Sequence, residues 1–120
     1  MTEAQLLQLG QRWIEVWNNH ELESILDLYS IDAEMTSPVI SQLKLSDSGV
    51  LKGREALQKY WSFGLRMLPN LHFVPLDIST SPNSIIIRYR NERNHTICEY
   101  LRVGSNGRIV QGSAHHLSGN

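Results

Sequence analysis

A glutamate interrupts an otherwise apolar strand face near the end of the chain. In the segment His95–Val103, alternation places Ile97, Glu99 and Leu101 on the same face. The carboxyl group of Glu99 is therefore expected to lie among hydrophobic neighbours, where burial disfavours its charged form. Such a group is either paired or functional. Two interpretations remain open: a structural acid that pairs with a nearby arginine or histidine, or a tuned acid that exchanges protons.

The N-terminal part of the chain is predicted to form helices that cover such a strand face. Thr2 and Gln5 fit a capping box, which marks the start of the first helix. Its apolar face consists of Leu6, Gly10, Trp13 and Trp17. Residues 18–20 break this helix. A second amphipathic helix follows, with an apolar stripe of Leu22, Ile25, Leu26 and Tyr29.

The middle of the chain holds a strand, a polar loop and a third helix. Alternation over residues 33–37 indicates a strand, and Pro38 cannot donate to a ladder beyond it. Residues 39–52 are interpreted as a loop with a short strand at Val50–Lys52. The third helix begins at Gly53 and stops before Pro69, because the residue before proline is disfavoured in helical geometry. Gly64 lies on its apolar face, and close packing against a neighbour would explain this glycine.

From residue 71 onward the pattern indicates strands only. Turn-forming residues separate four segments, which are Leu71–Thr80, Ile85–Asn91, His95–Val103 and Arg108–Leu117. Helices followed by a meander of strands are typical of an α+β fold with an antiparallel sheet. Strands of this length can curl around the helices. The aromatic residues at helical spacing are then either core or the lining of a cavity.

The composition limits the possible partners. The 120 residues form a single domain, 1–120, and the formal net charge of −1 gives no basic surface for nucleic acid or anionic membranes. No apolar run is long enough to span a membrane, and the N-terminus lacks the features of a secretory signal. The lone cysteine, Cys98, allows no internal disulfide and no cysteine-based zinc cluster. We expect a cytoplasmic protein without a metal or cofactor.

Four motifs occur in a characteristic order: Gln11–Pro38, Gly53–Leu57, Glu99–Val103 and Gly107–Val110. In this order they resemble the nuclear transport factor 2-like superfamily, whose small-molecule members include steroid delta-isomerases and SnoaL-like polyketide cyclases. The resemblance implies a cone-shaped α+β barrel in which three N-terminal helices pack in a strongly curved antiparallel sheet. It also implies an apolar cavity at the open end and a homodimer that associates through the outer face of the sheet.

Three positions correspond by resemblance to the working groups of steroid isomerases. Trp13 stands where a tyrosine donor to the oxyanion is expected, and Ser37 stands where an aspartate base is expected. Glu99 occupies the position of the neutral carboxylic acid that donates a second hydrogen bond, an arrangement for which ketosteroid isomerase is a well-studied case. Serine cannot abstract a carbon-bound proton without its own activating base. Isomerisation of the steroid type is therefore not expected.

Other residues complete the predicted site. His116 shares the face of the last strand that the resemblance turns inward, so it could meet Glu99 as an acid–base pair or form a hydrogen-bonded rim. Trp17 and Trp61 are predicted to line the cavity with Trp13 and Ser37. Ser37 has an alternative interpretation as a strand-end serine that bonds the backbone.

Two functions of different classes follow from this pattern. The first is binding of a small apolar molecule, with cofactor-free acid–base chemistry of the isomerase, dehydratase, cyclase or hydrolase type. The second is a non-catalytic dimeric interaction module whose core is filled by Trp13, Met35 and Trp61. Its working surface would be the outer sheet face, which carries Arg88, Arg90, Tyr100 and Arg102. A cavity of about 300 Å³ or more beside Glu99 favours the first function.

Overall fold

The computed structural model describes residues 1–117. The four helices are α1 (Glu3–Asn18), α2 (Leu22–Asp27), α3 (Pro38–Gln42) and α4 (Arg54–Met67). The strands are β1 (Tyr29–Thr36), β2 (Val50–Lys52), β3 (Val74–Ser81), β4 (Ser84–Arg90), β5 (Thr96–Val103) and β6 (Ile109–His116). They form one curved six-stranded sheet in the order β2-β1-β6-β5-β4-β3, and the N-terminal helices pack against it. The predicted α+β fold is confirmed.

The sheet differs from the predicted barrel in two respects. It is not closed, because β2 and β3 are its two ends. It is also mixed, since β1 pairs with β6 in parallel while the other neighbours are antiparallel. Parallel pairing requires a crossover connection, and here the whole chain between β1 and β6 provides it. The predicted antiparallel meander is confirmed for β3 to β6, and the parallel pair of β1 and β6 is a feature that the sequence did not predict.

The prediction of three helices missed a fourth, short one. Residues 38–42 form α3 where a loop was expected, because Ser37 caps the helix and Pro38 occupies a first-turn position that needs no donor. The short strand Val50–Lys52 is confirmed as β2. Tyr29 was assigned to the second helix but begins β1, where it pairs with Ile109 of β6.

Helix α1 lies directly across the inner face of the sheet. Its capping box at Thr2 and Gln5 is present, as the sequence predicts. Gly10 allows close approach, since a Cβ atom there would lie 3.2 Å from a methyl carbon of Ile78. At the other end, the Asn18 side chain bonds both the carbonyl and the N–H of Phe73, at 2.8 and 2.7 Å. These contacts fix the two tryptophans of α1 against the sheet.

The packing explanation for Gly64 was wrong. A Cβ atom at this position of α4 would meet no neighbouring atom within 4 Å. Gly64 instead borders the cavity described below. Within residues 1–117, no helix is both long and apolar enough to cross a membrane.

Candidate functional site

A cavity of about 340 Å³ opens between helices α1, α3 and α4 and the inner face of the sheet. Aromatic side chains form a large part of its wall. They are Trp13, Trp17, Tyr29, Tyr60, Trp61, Phe63, Phe73 and Tyr89. Six of these rings form a connected cluster, with centroid distances of 4.3 Å for Phe73 and Tyr89 and 4.8 Å for Tyr29 and Trp61. The cavity is therefore an apolar space framed by a packed aromatic cluster.

The structure brings all the predicted site residues to this one cavity. They are Trp13 and Trp17 from α1, Ser37 from the end of β1, Trp61 from α4, Glu99 from β5 and His116 from β6. Six residues spread over more than a hundred positions of sequence thus share one space. Their roles differ in ways that only the contacts reveal.

Glu99 is the most deeply buried ionisable group of the cavity wall. It lies on the central strand β5, with 2% of its surface exposed. The Tyr89 hydroxyl donates to its Oε1 at 3.3 Å, while Oε2 is buried and has no hydrogen-bond partner. Among residues 1–117, no salt bridge joins Glu99 to arginine, lysine or histidine. The interpretation of Glu99 as an ion-paired structural acid was therefore wrong.

This environment changes the acidity of Glu99. Burial raises the pKa of its carboxyl group to about 8, and the hydrogen bond from Tyr89 offsets only part of that effect. Glu99 is then mostly protonated at neutral pH. A carboxyl group with a pKa in this range can either give or take a proton near physiological pH.

Three tyrosines surround Glu99, and sequence reasoning did not select them. Burial raises the pKa of Tyr29, Tyr60 and Tyr89, and a negative charge on Glu99 raises each of them further. Their hydroxyl groups therefore stay protonated. A signal for Tyr89 does exist, because alternation places it with Ile85 and Ile87 on the inner face of β4.

Trp13 has its polar group engaged inside the protein. Its indole Nε1–H donates to the Tyr29 hydroxyl at 3.0 Å, and its ring stacks on Phe73 at 5.7 Å. Trp13 therefore holds Tyr29 in place. The Nε1–H of Trp17 is also buried, and no atom of residues 1–117 accepts a hydrogen bond from it.

Ser37 acts as a helix cap. Its Oγ accepts from the N–H of Ile40 at 3.3 Å, and it lies 3.3 Å from the Tyr60 hydroxyl. No carboxylate or imidazole within residues 1–117 contacts this hydroxyl. Ser37 therefore has no group to activate it as a base, in agreement with the expectation from the sequence.

His116 lies at the exposed mouth of the cavity and does not touch Glu99. No hydrogen bond joins the two side chains in the described part of the chain. The strand register makes Glu99 and His116 diagonal neighbours on β5 and β6, a position in which Cα atoms lie about 7–8 Å apart. Burial, His95 and Arg93, in that order, lower the pKa of His116. A direct Glu99–His116 pair is therefore not present.

The mouth of the cavity has an apolar side and a polar side. Exposed Leu43, Phe63, Met67 and Leu68 form the apolar side. Residues 91–93 and His116 form the polar side. No group of three or more His, Cys, Asp or Glu side chains within residues 1–117 is arranged to hold a metal ion. The polar groups of the cavity are therefore Glu99 and the hydroxyl groups around it in the interior, and residues 91–93 with His116 at the mouth.

Comparison with solved structures shows that this fold is widespread. A SnoaL-like protein of unknown function from Burkholderia thailandensis is 36% identical, with a TM-score of 0.92 and coverage of 98% of both chains. A candidate isomerase of the SnoaL-like family from Agrobacterium tumefaciens is 13% identical, with a TM-score of 0.75 and coverage of 96% of this chain and 99% of its own. The protein TerC, co-crystallised with polyporic acid, is 10% identical, with a TM-score of 0.77 and coverage of 95% and 92%.

Family comparison agrees with the structural result. No curated protein sequence matches the chain. The family model for the SnoaL-like domain matches residues 11–112, which span α1 to β6 and include five of the six predicted site residues. The chain therefore belongs to the SnoaL-like family of the nuclear transport factor 2-like superfamily.

Proposed function

We propose that this protein binds a small, largely apolar molecule in the aromatic cavity. One observation carries the proposal: a cavity of about 340 Å³ is bounded by a buried carboxyl group whose Oε2 has no partner. Binding sites for small molecules are typically apolar clefts of about 300–1,000 Å³ with a few polar groups that orient the ligand. Contact with the aromatic walls would supply most of the binding energy, and a hydrogen bond to Glu99 would orient the ligand.

The rival function, an interaction module with a filled core, has less support. It requires Trp13, Met35 and Trp61 to close the space between helices and sheet. These three side chains are buried, yet they border the cavity and leave it open. A protein that needed only a stable scaffold would gain packing energy by filling such a space.

The same site supports cofactor-free acid–base chemistry. Glu99 would give or take the proton, with His116 as a more distant partner at the mouth. Trp13 would act through Tyr29, to whose hydroxyl it donates a hydrogen bond. Ser37 would act through Tyr60, whose hydroxyl lies 3.3 Å from the Ser37 Oγ. Isomerases, dehydratases, cyclases and hydrolases all use such proton transfers. Proton abstraction of the steroid-isomerase type has no support, because Ser37 lacks an activating base.

A ligand screen tests this proposal. Steroid, polyketide-like and terpene-like compounds, together with polyporic acid, are added to the folded protein, and thermal stability and tryptophan fluorescence are followed. We expect compounds that bind the folded state to raise the melting temperature. For compounds with a polar oxygen, Glu99→Leu is expected to weaken binding about tenfold, because one buried hydrogen bond is lost.

Two further variants make the result specific. Glu55→Leu changes an exposed carboxyl group of α4 outside the cavity and should leave affinity unchanged. Gly64→Leu adds a side chain beside the cavity and should weaken binding of larger compounds. Binding that is indifferent to both Glu99→Leu and Gly64→Leu would mean that the ligand binds elsewhere. A screen without any stabilising compound would contradict the proposed function.

We also propose that the protein is a cytoplasmic homodimer that associates through the outer face of β4, β5 and β6. A row of Ile86, Tyr100 and Ser113 runs across these strands, and Ile86 is 45% exposed. Arg88 on the same face forms an ion pair with Asp77, with 2.6 Å between Nη2 and Oδ2. Tyrosine and arginine are enriched in protein interfaces, and Ile86 adds an exposed apolar side chain.

Light scattering during gel filtration tests the dimer. Ile86→Glu is expected to convert a dimer into a monomer, because it places a charge in the apolar row. Leu45→Glu is the matched control, since Leu45 is 46% exposed in the loop between α3 and β2. A wild-type protein that elutes as a monomer at high concentration would exclude this interface.

A further inference from the structure

The apolar side of the cavity mouth is a cluster of exposed side chains. Leu43, Phe63, Met67 and Leu68 all border the cavity, and all are exposed to solvent. They come from two places in the fold, the end of α3 and the C-terminal half of α4. Single exposed apolar residues are normal, but a contiguous group beside a cavity is typical of a surface that contacts another molecule or a membrane.

The segments that build this apolar side are basic. Residues 35–46 and 56–76 contain no aspartate or glutamate, although the whole chain has twelve. Lys44 and Arg66 lie in these segments, are exposed and form no salt bridge in the described part of the chain. The expectation of no surface for anionic membranes rested on the net charge of −1, and a net charge does not show how charges are distributed.

Helical spacing brings apolar and basic side chains together on α4. Residues three or four apart are neighbours on a helix surface, so Phe63 lies beside both Arg66 and Met67. Lys59 also neighbours Phe63, but its Nζ is paired with Oε1 of Glu55 at 3.3 Å. The exposed face of α4 beside the mouth therefore combines an aromatic ring, a thioether and an unpaired guanidinium group.

Lys44 is presented by an ordered turn at the end of α3. Its N–H donates to the carbonyl of Ser41 at 3.1 Å, and the N–H of Leu45 donates to the carbonyl of Ile40 at 3.2 Å. These bonds close the helix with Lys44 at a φ of 54°, a conformation that favours glycine. The turn thereby exposes an apolar–basic–apolar tip, Leu43 to Leu45, beside the mouth.

An anionic lipid surface matches both features of this side of the mouth. Apolar side chains enter the boundary between headgroups and acyl chains, while nearby lysine and arginine side chains are attracted to anionic headgroups. A second copy of this chain matches less well. A two-fold contact places the same patch on both partners, and neither would bring an acid from these segments to the free cations.

We propose that the apolar side of the mouth docks on an anionic lipid surface. Phe63 and Met67 enter the lipid boundary, and Lys44 and Arg66 contact the headgroups. The cavity then opens toward the membrane, so that an apolar ligand passes between bilayer and cavity without crossing water. The inference goes beyond the proposed function, because docking on vesicles requires no ligand in the cavity.

Co-sedimentation of the full chain with vesicles tests this inference. Vesicles of phosphatidylcholine alone are compared with equimolar phosphatidylcholine and phosphatidylglycerol. We expect binding to the anionic vesicles, weaker binding to the neutral ones, and a loss of that difference at high salt because salt screens the headgroup charges. Arg66→Gln and Lys44→Gln should each weaken binding to anionic vesicles about fivefold. Met67→Gln should weaken it about tenfold, because an apolar side chain no longer leaves water.

Two control variants change similar residues away from the mouth. Ile31→Gln replaces an apolar side chain that is 79% exposed, compared with 62% for Met67, and that does not border the cavity. Arg108→Gln replaces an exposed arginine in the turn between β5 and β6. Both variants should bind vesicles like the wild type. Equal losses in Ile31→Gln and Met67→Gln, or in Arg108→Gln and Arg66→Gln, would overturn the inference.

The remaining outcomes separate this inference from the proposed function. A wild-type protein that is stabilised by ligands but binds neither kind of vesicle would overturn the inference and leave the proposed function intact. Docking on anionic vesicles without any stabilising ligand would support the inference and contradict the proposed function. If Met67→Gln converts a dimer into a monomer in light scattering, a second copy covers this surface and the inference is wrong.

Discussion

Glu99→Gln is expected to remove most of the pH dependence of stability and to make the protein more stable than wild type above pH 8. In the unfolded chain this carboxyl group ionises near pH 4.5, whereas in the folded protein it keeps its proton to about pH 8. Between these values the folded state holds the extra proton, so the free energy of unfolding falls as the pH rises. This loss of unfolding free energy is complete above the pKa of the folded state and absent below pH 4.5. At about 1.4 kcal/mol for each pH unit, it amounts to roughly 3–5 kcal/mol.

Urea unfolding between pH 4 and pH 9 measures this effect as the difference in unfolding free energy between the variant and the wild type at each pH. Glutamine keeps the shape of the side chain and can still accept from Tyr89, while it carries no charge at any of these pH values. The matched control is Glu55→Gln, which changes an exposed carboxyl group of α4 and should keep the wild-type profile. Parallel profiles for wild type and Glu99→Gln would show that Glu99 ionises normally in the folded protein.

Trp13→Ala is expected to cost about 3–5 kcal/mol of folding free energy, as is usual when a buried aromatic side chain is truncated. Trp13 is 2% exposed, and its ring contacts Trp17, Phe73 and Tyr89 at 5.7–5.9 Å. Its removal would join new empty space to the existing cavity. Thermal and urea unfolding at pH 6 measure the loss.

Trp13→Phe separates the ring from the hydrogen bond. It keeps an aromatic ring against Phe73 but removes the donor to Tyr29, so we expect a loss of about 1–2 kcal/mol from the missing bond and the smaller ring. Tyr60→Phe provides a comparison, because Tyr60 is partly buried and its hydroxyl lies near Ser37 at 3.3 Å. If Trp13→Phe costs as much as Trp13→Ala, the bond to Tyr29 rather than ring burial fixes this corner of the site.

Local periodicity allowed much of the fold to be predicted from the sequence. Helical spacing placed Trp13 and Trp17 on the buried face of α1, and strand alternation placed Glu99 on the inner face of β5. Both inferences need only the repeat of the backbone, 3.6 residues for a helix and two for a strand. The fourth helix had a local signal too, because Ser37 followed by Pro38 is a typical helix start. Pro38 was predicted only to end a strand.

The parallel pairing of β1 with β6 had no comparable signal. Alternation shows which side of a strand a residue occupies, but it does not show which strand lies beside it or in what register. For His116, the sequence left open an acid–base pair with Glu99 or a position at the rim, and the register of β5 and β6 places the two residues on a diagonal, with His116 at the mouth. The antiparallel register of β4 and β5 brings Tyr89 to Glu99, a contact that the sequence did not predict.

The sequence by itself therefore determined most of the helices and strands, their buried faces and the presence of a carboxyl group on an apolar strand face. Only the tertiary structure decided that no cationic side chain within residues 1–117 pairs with Glu99, that three tyrosines surround it and that the space beside it is open. The physical reason is that a cavity is the difference between the volume that distant elements enclose and the volume their side chains fill. Both volumes depend on long-range packing between helices and sheet. No local pattern of residues records that difference.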